Sequence, residues 1–236
     1  MTNIPNIGRP TPAPGEQLLP FYIVCDESHS MDFNGGIDAI NSGLPDLHAA
    51  IASDPLVNDK ARICLISFSD TAEVLVPLLP AADIEELPGM MKKNATSYGA
   101  AFRLLKTQIA IDIDKMKADG YKVLRPAVFF ISDGEPTDSG YWEDDHADLV
   151  NKTTNPQAPN IIAFGVDKAD RYVMKKVATV AAFMAMENVN PGAALKEIMR
   201  SLTASIVASA SAAKPTMIIP PAPEGTFSLP LDTMDE

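Results

Sequence analysis

The apolar positions of this chain fall into two kinds of pattern that take turns along its length. Leu18–Cys25 is apolar without a break, which predicts a strand covered on both faces rather than one with a wet side. Ile37, Ile40, Leu44, Leu47 and Ile51 then recur every three or four positions, the stripe of an amphipathic helix. Pro45 falls inside that stripe and is expected to kink the helix or move its start. Arg62–Phe68 and Glu73–Val76 predict two strands around the turn Ser69-Asp70-Thr71, a hairpin. Tyr98, Phe102, Leu105, Ile109, Ile113 and Met116 mark a second helix, with Gly120 placed to close it.

Val123–Ile131 predicts a further buried strand, whose first residues Pro126 confines to an edge or an entry. A short helix around Ala147–Asn151 follows, then a strand over Asn160–Val166 and a helix over Arg171–Thr179. Ala182–Met186 predicts a last short strand, and Leu195, Ile198, Leu202 and Ile206 a final helix. Strands apolar on both faces, alternating with helices, imply a doubly wound α/β fold. Its sheet should be mostly parallel, with one antiparallel edge strand, in a single domain over residues 18–210. A Pro-rich leader (1–17) and a Pro-rich tail (211–236) flank it. No helix can run through that tail, which is either disordered or an extended segment docked on the domain or on a partner.

Charge narrows the functions. With 31 acidic residues against 19 Lys and Arg, the net charge is −12. That argues against binding a phosphate backbone or an anionic membrane surface. It first of all serves solubility, although an acidic chain can still hold a cation. There is no apolar run long enough to span a bilayer and no basic-then-apolar secretory leader, so a cytoplasmic location is expected. Cys25 and Cys64 lie inside predicted strands and read as reduced core thiols.

Polar residues concentrate where strands end, and functional groups of such sheets gather at those carboxyl ends. After the first strand comes Asp26-Glu27-Ser28-His29-Ser30; before the second helix comes Asn94-Ala95-Thr96; after the 123–131 strand comes Ser132-Asp133-Gly134-Glu135-Pro136-Thr137-Asp138. If the chain stays extended past Cys25, Asp26, Ser28 and Ser30 share one side. Thr96 adds a third hydroxyl and Asp133 a second carboxylate. The result is an all-oxygen site for a hard divalent cation, Mg²⁺ first, with Mn²⁺ and Ca²⁺ as alternatives. With so few carboxylates the cation would keep a position open to an outside ligand.

Asp26-x-Ser28-x-Ser30, Thr96-x-x-Gly99-x-Ala101 and Asp133-Gly134-Glu135-Pro136 together resemble the metal-ion-dependent adhesion site (MIDAS) of von Willebrand factor A (vWA) domains, over roughly residues 18 to 210. The resemblance implies that the two serines and Thr96 bind the metal, and that Asp26 and Asp133 act directly or through water. An acidic residue of a protein partner would complete the shell. Within that family, "LPFYIVCDESHSM", "FSDTAEVLVPL" and "FFISDGEPTD" are most similar to bacterial TerY-like proteins of tellurium-resistance and stress operons. This implies an intracellular role beside kinase, phosphatase and other Ter-type components. His29 departs from the glycine common between the two serines, and Asn94-Ala95 from the Ser-Gly or Gly-Gly that often precedes the threonine.

The other polar residues near these motifs have simpler expected roles. His29 points away from the alternating set and is expected at the rim; Glu27 faces the same way, solvated or ion-paired. Asp70 reads as a turn residue; Glu135 and Asp138, beside Asp133, either support the site or, more simply, serve the turn. Tyr141 and Trp142 are placed either on a recognition rim or partly buried, and the run 141–148 reads as a solvated helix start. The function expected is a non-enzymatic, cation-dependent protein-binding module. The alternatives are a metal-dependent hydrolase or phosphotransferase and a subunit that assembles through its Pro-rich tail. Against the enzyme stands the lack of a phosphate loop, a Ser-His-Asp set or a nucleophile elbow, in a chain with only three histidines.

Overall fold

The computed structural model describes residues 15–138 and 141–231. The leader up to residue 14, Ser139-Gly140 and the tail residues 232–236 lie outside that description. The unbroken apolar run after Gln17 forms β1 (Gln17–Asp26), buried at every residue but the first. Its side chains divide by parity. Leu19, Phe21, Ile23 and Cys25 enter one hydrophobic cluster, while Leu18, Tyr22 and Val24 enter the other. This period-two division is why an all-apolar run is a strand here: each face meets its own layer of helices.

In chain order β1 is followed by α1 (His29–Phe33), α2 (Gly36–Ala52), α3 (Pro55–Lys60), β2 (Ala61–Phe68) and β3 (Ala72–Leu79). Then come α4 (Tyr98–Ala118), β4 (Lys122–Val123), β5 (Ala127–Ser132), α5 (Trp142–Val150) and β6 (Asn160–Gly165). The chain closes with α6 (Arg171–Val177), β7 (Ala181–Ala185), α7 (Pro191–Ser211) and β8 (Thr226–Leu229). The eight-stranded sheet runs β3-β2-β1-β5-β6-β7-β8, with β4 paired to the start of β1. β2, β1, β5, β6 and β7 are mutually parallel. α2, α3 and α7 cover one face and α4, α5 and α6 the other. The fold is therefore the expected doubly wound α/β domain. Cys25 and Cys64 belong to opposite faces and are both free thiols.

Four local features depart from the sequence expectation, each for a physical reason. Pro126 breaks the 123–131 run: β4 hangs on β1 through Leu124 N–H to Leu18 O (2.9 Å), and β5 begins only after the proline. Pro126 still accepts from Asn160 N–H (2.8 Å), the role left to a residue with no N–H of its own. Pro45 does not move the start of α2, which runs through it from Gly36. The short helix α3 has a single buried apolar residue, Val57, too little for periodicity to register; its signature is Asp54 before Pro55, with the Asp54 carboxylate accepting from Leu56 and Val57 N–H.

The fourth is the tail. β8 pairs antiparallel with β7, so the sheet has two antiparallel edges, β3 and β8, rather than one, and it extends past residue 210. The segment leading to β8 is tied to α7: Ser205 Oγ donates to Ile218 O, and Ile218 N–H donates to Ser209 Oγ (2.9 Å). Met217 packs against the core. Ending the chain at Ser211 should thus cost about 2 kcal/mol or more, a fall in the unfolding midpoint of about 5 °C or more by circular dichroism. An unchanged midpoint would show that this strand carries no stability.

Candidate metal centre

In the sheet, β1 is flanked by β2 on one side and β5 on the other, so the direction of winding reverses between β1 and β5. Crevices outside the carboxyl ends of strands at such a reversal are where α/β sheets bind ligands. Asp26 is the last residue of β1 and Asp133 directly follows β5. Both are fully buried.

Beyond Asp26 the chain is extended only as far as Ser28 (φ −61°, ψ 164°), and α1 begins at His29. Ser30 therefore reaches the site from the first turn of a helix, not by strand alternation as the sequence suggested. The hydroxyls still meet: Ser28 Oγ and Ser30 Oγ are 3.1 Å apart. Ser30 Oγ donates to Asp133 Oδ1 at 2.8 Å, with Ser28 Oγ at 3.5 Å from the same oxygen. Asp26 accepts from Ser28 N–H on Oδ1 (2.8 Å) and from Ser132 Oγ on Oδ2 (2.6 Å). Thr96 arrives from the segment before α4. A methyl group on Gly134 would lie 3.9 Å from Ser30 Oγ and 4.0 Å from Thr96 Oγ1, so both hydroxyls lie beside that glycine. Among the described residues Thr96 Oγ1 has no hydrogen-bond partner.

Two clamps hold Thr96 there. Thr137 N–H donates to Thr96 O (2.8 Å) while Thr96 N–H donates to Thr137 Oγ1 (3.1 Å). The Asp138 carboxylate accepts from Ser97 Oγ (2.8 Å), Gly99 N–H (2.8 Å) and Tyr98 N–H (3.3 Å), the open donors at the positive end of α4. Of the two roles the sequence left to Asp138, the contacts show the supporting one. On the other side Glu27 is buried, not solvated: it accepts from Met91 N–H (3.0 Å) and pairs with Lys93 Nζ (3.0 Å). Lys93 N–H in turn donates to Glu27 O (2.8 Å).

Two residues that motif reading passed over touch the centre. Asn34, which caps the end of α1, donates through Nδ2 to Asp133 Oδ2 (2.6 Å). Asp167 lies 3.4 Å from the same amide, held in the left-handed region (φ 51°) just after β6. Lys168 N–H donates to Asp133 O (3.2 Å), which fixes that loop beside the site. Nothing in the local sequence of Asn34 announces its role; the nearest sign is the Gly35-Gly36 pair that lets the chain turn after it.

The remaining polar residues fall where bland roles apply. His29 is exposed at the rim, its ring 6.4 Å from that of Phe33. His48 meets Ala81 O and His146 meets Val177 O, both away from the centre. Trp142 is buried against Tyr98 and Phe102, whereas Tyr141 is exposed. Three of the four acids of 141–148 are ion-paired: Glu143 with Lys176, Asp145 with Arg103 and Asp148 with Lys106. Among the described residues no group of three or more His, Cys, Asp and Glu side chains is arranged to hold a metal. The donors gathered here are instead two carboxylates and three hydroxyls.

Electrostatics decides what such a set is suited to. Burial pushes Asp26 up to about 7, against the hydrogen bonds from Ser132 and Ser28 that favour its charge. Asp133 is raised as well, by burial first, with the charge of Asp167 adding to it and the hydrogen bonds from Ser30 and Asn34 opposing. Neither carboxylate has a basic side-chain partner among the described residues. Two dry, unpaired carboxylates facing hydroxyl oxygens fit a hard divalent cation, which would supply the missing positive charge and accept every oxygen donor.

No known protein-family model matches the chain, and no curated protein matches it in sequence. Solved structures do match in fold. The mussel byssus proximal thread matrix protein 1, in a form with a zinc-occupied MIDAS motif, superposes with a TM-score of 0.55 at 13% identity, over 82% of this chain and 48% of that one. VWA2, the ArnB paralogue of Sulfolobus acidocaldarius, gives 0.50 at 19% identity over 82% of this chain and 46% of that one. The vWF domain of the pilus tip protein Mfa5 of Porphyromonas gingivalis gives 0.54 at 12% identity over 80% of this chain and 96% of that one. The chain spans about half the length of the mussel and archaeal chains. At these identities the likeness is one of fold: the chain has the α/β architecture of vWA-type domains.

The raised Asp26 leads to a pH test. Its folded value of about 7 lies above the ordinary value of about 4, so between these the folded state holds the extra proton. Its contribution to stability is then present at low pH and is lost as pH rises through about 7. In EDTA, the unfolding midpoint of the wild type minus that of Asp26→Asn should fall from about pH 5 to about pH 8. Saturating divalent cation, which competes with that proton, should flatten or reverse the trend. A flat difference in EDTA would contradict the burial of an unpaired Asp26.

Proposed function

We propose that this chain is a protein-binding module that works through a divalent cation. Asp26, Ser28, Ser30, Thr96 and Asp133 would hold the ion, and a carboxylate of the partner would complete its shell. The observation that carries this reading is the pair of fully buried carboxylates, raised in pKa and without a basic partner among the described residues, beside the serine hydroxyls. When bound, the cation supplies Lewis-acidic attraction for an anionic group. The chain's own residues supply position: Ser132 and the Ser28 N–H orient Asp26, Asn34 orients Asp133, and Thr137 with Asp138 orients Thr96.

Support also comes from the fold neighbours, which include a byssus matrix protein with zinc in its MIDAS motif and a pilus adhesin, SpaC. Mg²⁺ is the proposed ion, in keeping with the hard oxygen donors. Placement in the cytoplasm, in a tellurium-resistance or related stress system beside Ter-type, kinase or phosphatase components, is supported by the resemblance of the motifs to TerY-like proteins. On this reading the module binds and does not catalyse.

Asp26→Ala and Asp133→Ala should each weaken Mg²⁺ or Mn²⁺ binding about 100-fold or more by isothermal titration. Affinity capture from the native cell should recover a partner in Mg²⁺ that EDTA and either variant release. Capture indifferent to EDTA would remove the cation from the account. Phosphate-ester turnover abolished by Asp133→Ala would replace the binding role with a hydrolytic one.

A further inference from the structure

Every oxygen of the two buried carboxylates already accepts a hydrogen bond, and the donors pull the oxygens of each group apart. Asp26 Oδ1 is held by Ser28 N–H (2.8 Å) and Oδ2 by the Ser132 hydroxyl (2.6 Å). Asp133 presents Oδ1 to Ser30 Oγ (2.8 Å) and Oδ2 to Asn34 Nδ2 (2.6 Å). Of these donors only Asn34 lies outside the strand-end motifs. Its amide is fixed in direction, because Asn34 Oδ1 accepts from Gly36 N–H (3.0 Å) and so Nδ2 faces the carboxylates. The turn that makes this contact is tight: a methyl group on Gly36 would lie 3.0 Å from both Asn34 Oδ1 and Met31 O. Asp167 Oδ2 lies 3.4 Å from the same Nδ2, and Lys168 N–H donates to Asp133 O (3.2 Å), which closes the loop around the amide.

Resting on the cation reading above, we propose that Asn34 is a selectivity residue: by holding Asp133 Oδ2 it limits Asp133 to one metal-facing oxygen, which turns the site toward Mg²⁺ and against Ca²⁺. The two ions differ in what they demand. Mg²⁺ takes about six oxygens in a near-ideal octahedron and keeps waters, whereas Ca²⁺ takes about six to eight at longer distances and readily uses both oxygens of one carboxylate. One oxygen from each of Ser28, Ser30, Thr96, Asp26 and Asp133 leaves room in the octahedron for about one water or partner group. To chelate Ca²⁺, Asp133 has to turn both oxygens inward and give up the bond from Asn34. Asp26 is held the same way by main chain and strand, so Asn34 is the donor that a substitution removes without touching a metal-holding residue. Asn34 meets no ion itself. It positions Asp133, and through Asp133 it sets which ion fits.

The test titrates Mg²⁺ and Ca²⁺ separately into metal-free wild type, Asn34→Ala and Asn34→Asp by calorimetry, with unfolding midpoints in EDTA measured alongside. Asn34→Asp keeps an acceptor for Gly36 N–H and removes the donor to Asp133, so it decides the question if Asn34→Ala does not fold. Wild type should bind Mg²⁺ more tightly than Ca²⁺. Each folded variant should lower the ratio of the Ca²⁺ to the Mg²⁺ dissociation constant about tenfold. A merely structural role would weaken both ions equally. Such an equal change, an unchanged ratio, or a wild type that prefers Ca²⁺ would each overturn the selectivity role and leave the cation reading standing. Wild type that binds neither ion would overturn the cation reading and this role with it.

Discussion

Two carboxylates with no basic partner among the described residues, buried together where the sheet reverses its winding, set the terms for the rest of this molecule. Each such group costs several kcal/mol to desolvate unless something positive or a set of donors meets it. Asp26 is met by a backbone N–H and Ser132, and Asp133 by Ser30 and Asn34. Those donors reduce the cost without removing it, as the upward shift of both groups shows. A divalent cation offsets it directly.

Everything needed to hold that arrangement is anchored in the parallel sheet. β1 and β5 are hydrogen-bonded neighbours in register from Phe21–Ala127 to Cys25–Ile131, which fixes the spacing of the residues that follow them. The two helical layers press on both faces of these strands, through Phe21 and Phe129 on one side and Phe68, Tyr98, Phe102 and Phe130 on the other. The loops that leave the strand ends are then held by polar contacts: Glu27 with Lys93 and Met91, and Asp138 with the start of α4. Met31 of α1 is buried beneath this edge, while Phe33 stays exposed.

The sequence showed the layered fold because its strands are short, apolar on both faces and separated by striped helices, a pattern with few other solutions. The candidates Asp26, Ser28, Ser30, Thr96 and Asp133 stood out for a similar reason, since all sit just outside predicted elements. What it hid was geometry set by neighbours distant in sequence. Ser30 comes from a helical turn that only five residues define, too short for periodicity. Asn34 meets Asp133 across 99 residues, and Asp167 meets the same Asn34 amide from a loop with no motif. β8 lies in a proline-rich stretch whose four strand residues acquire meaning only beside β7. Local alternation left Glu27 either solvated or ion-paired, because it says nothing of Lys93, 66 positions on, which reaches back to form the ion pair.

Anomalous diffraction from crystals grown with Mn²⁺ tests the central claim most directly, since it locates the ion without reference to any partner. The account predicts a single strong peak bounded by Ser28 Oγ, Ser30 Oγ, Thr96 Oγ1 and the carboxylates of Asp26 and Asp133, lost in crystals of Asp26→Ala. A peak elsewhere, or none at this edge of the sheet at saturating Mn²⁺, would contradict it.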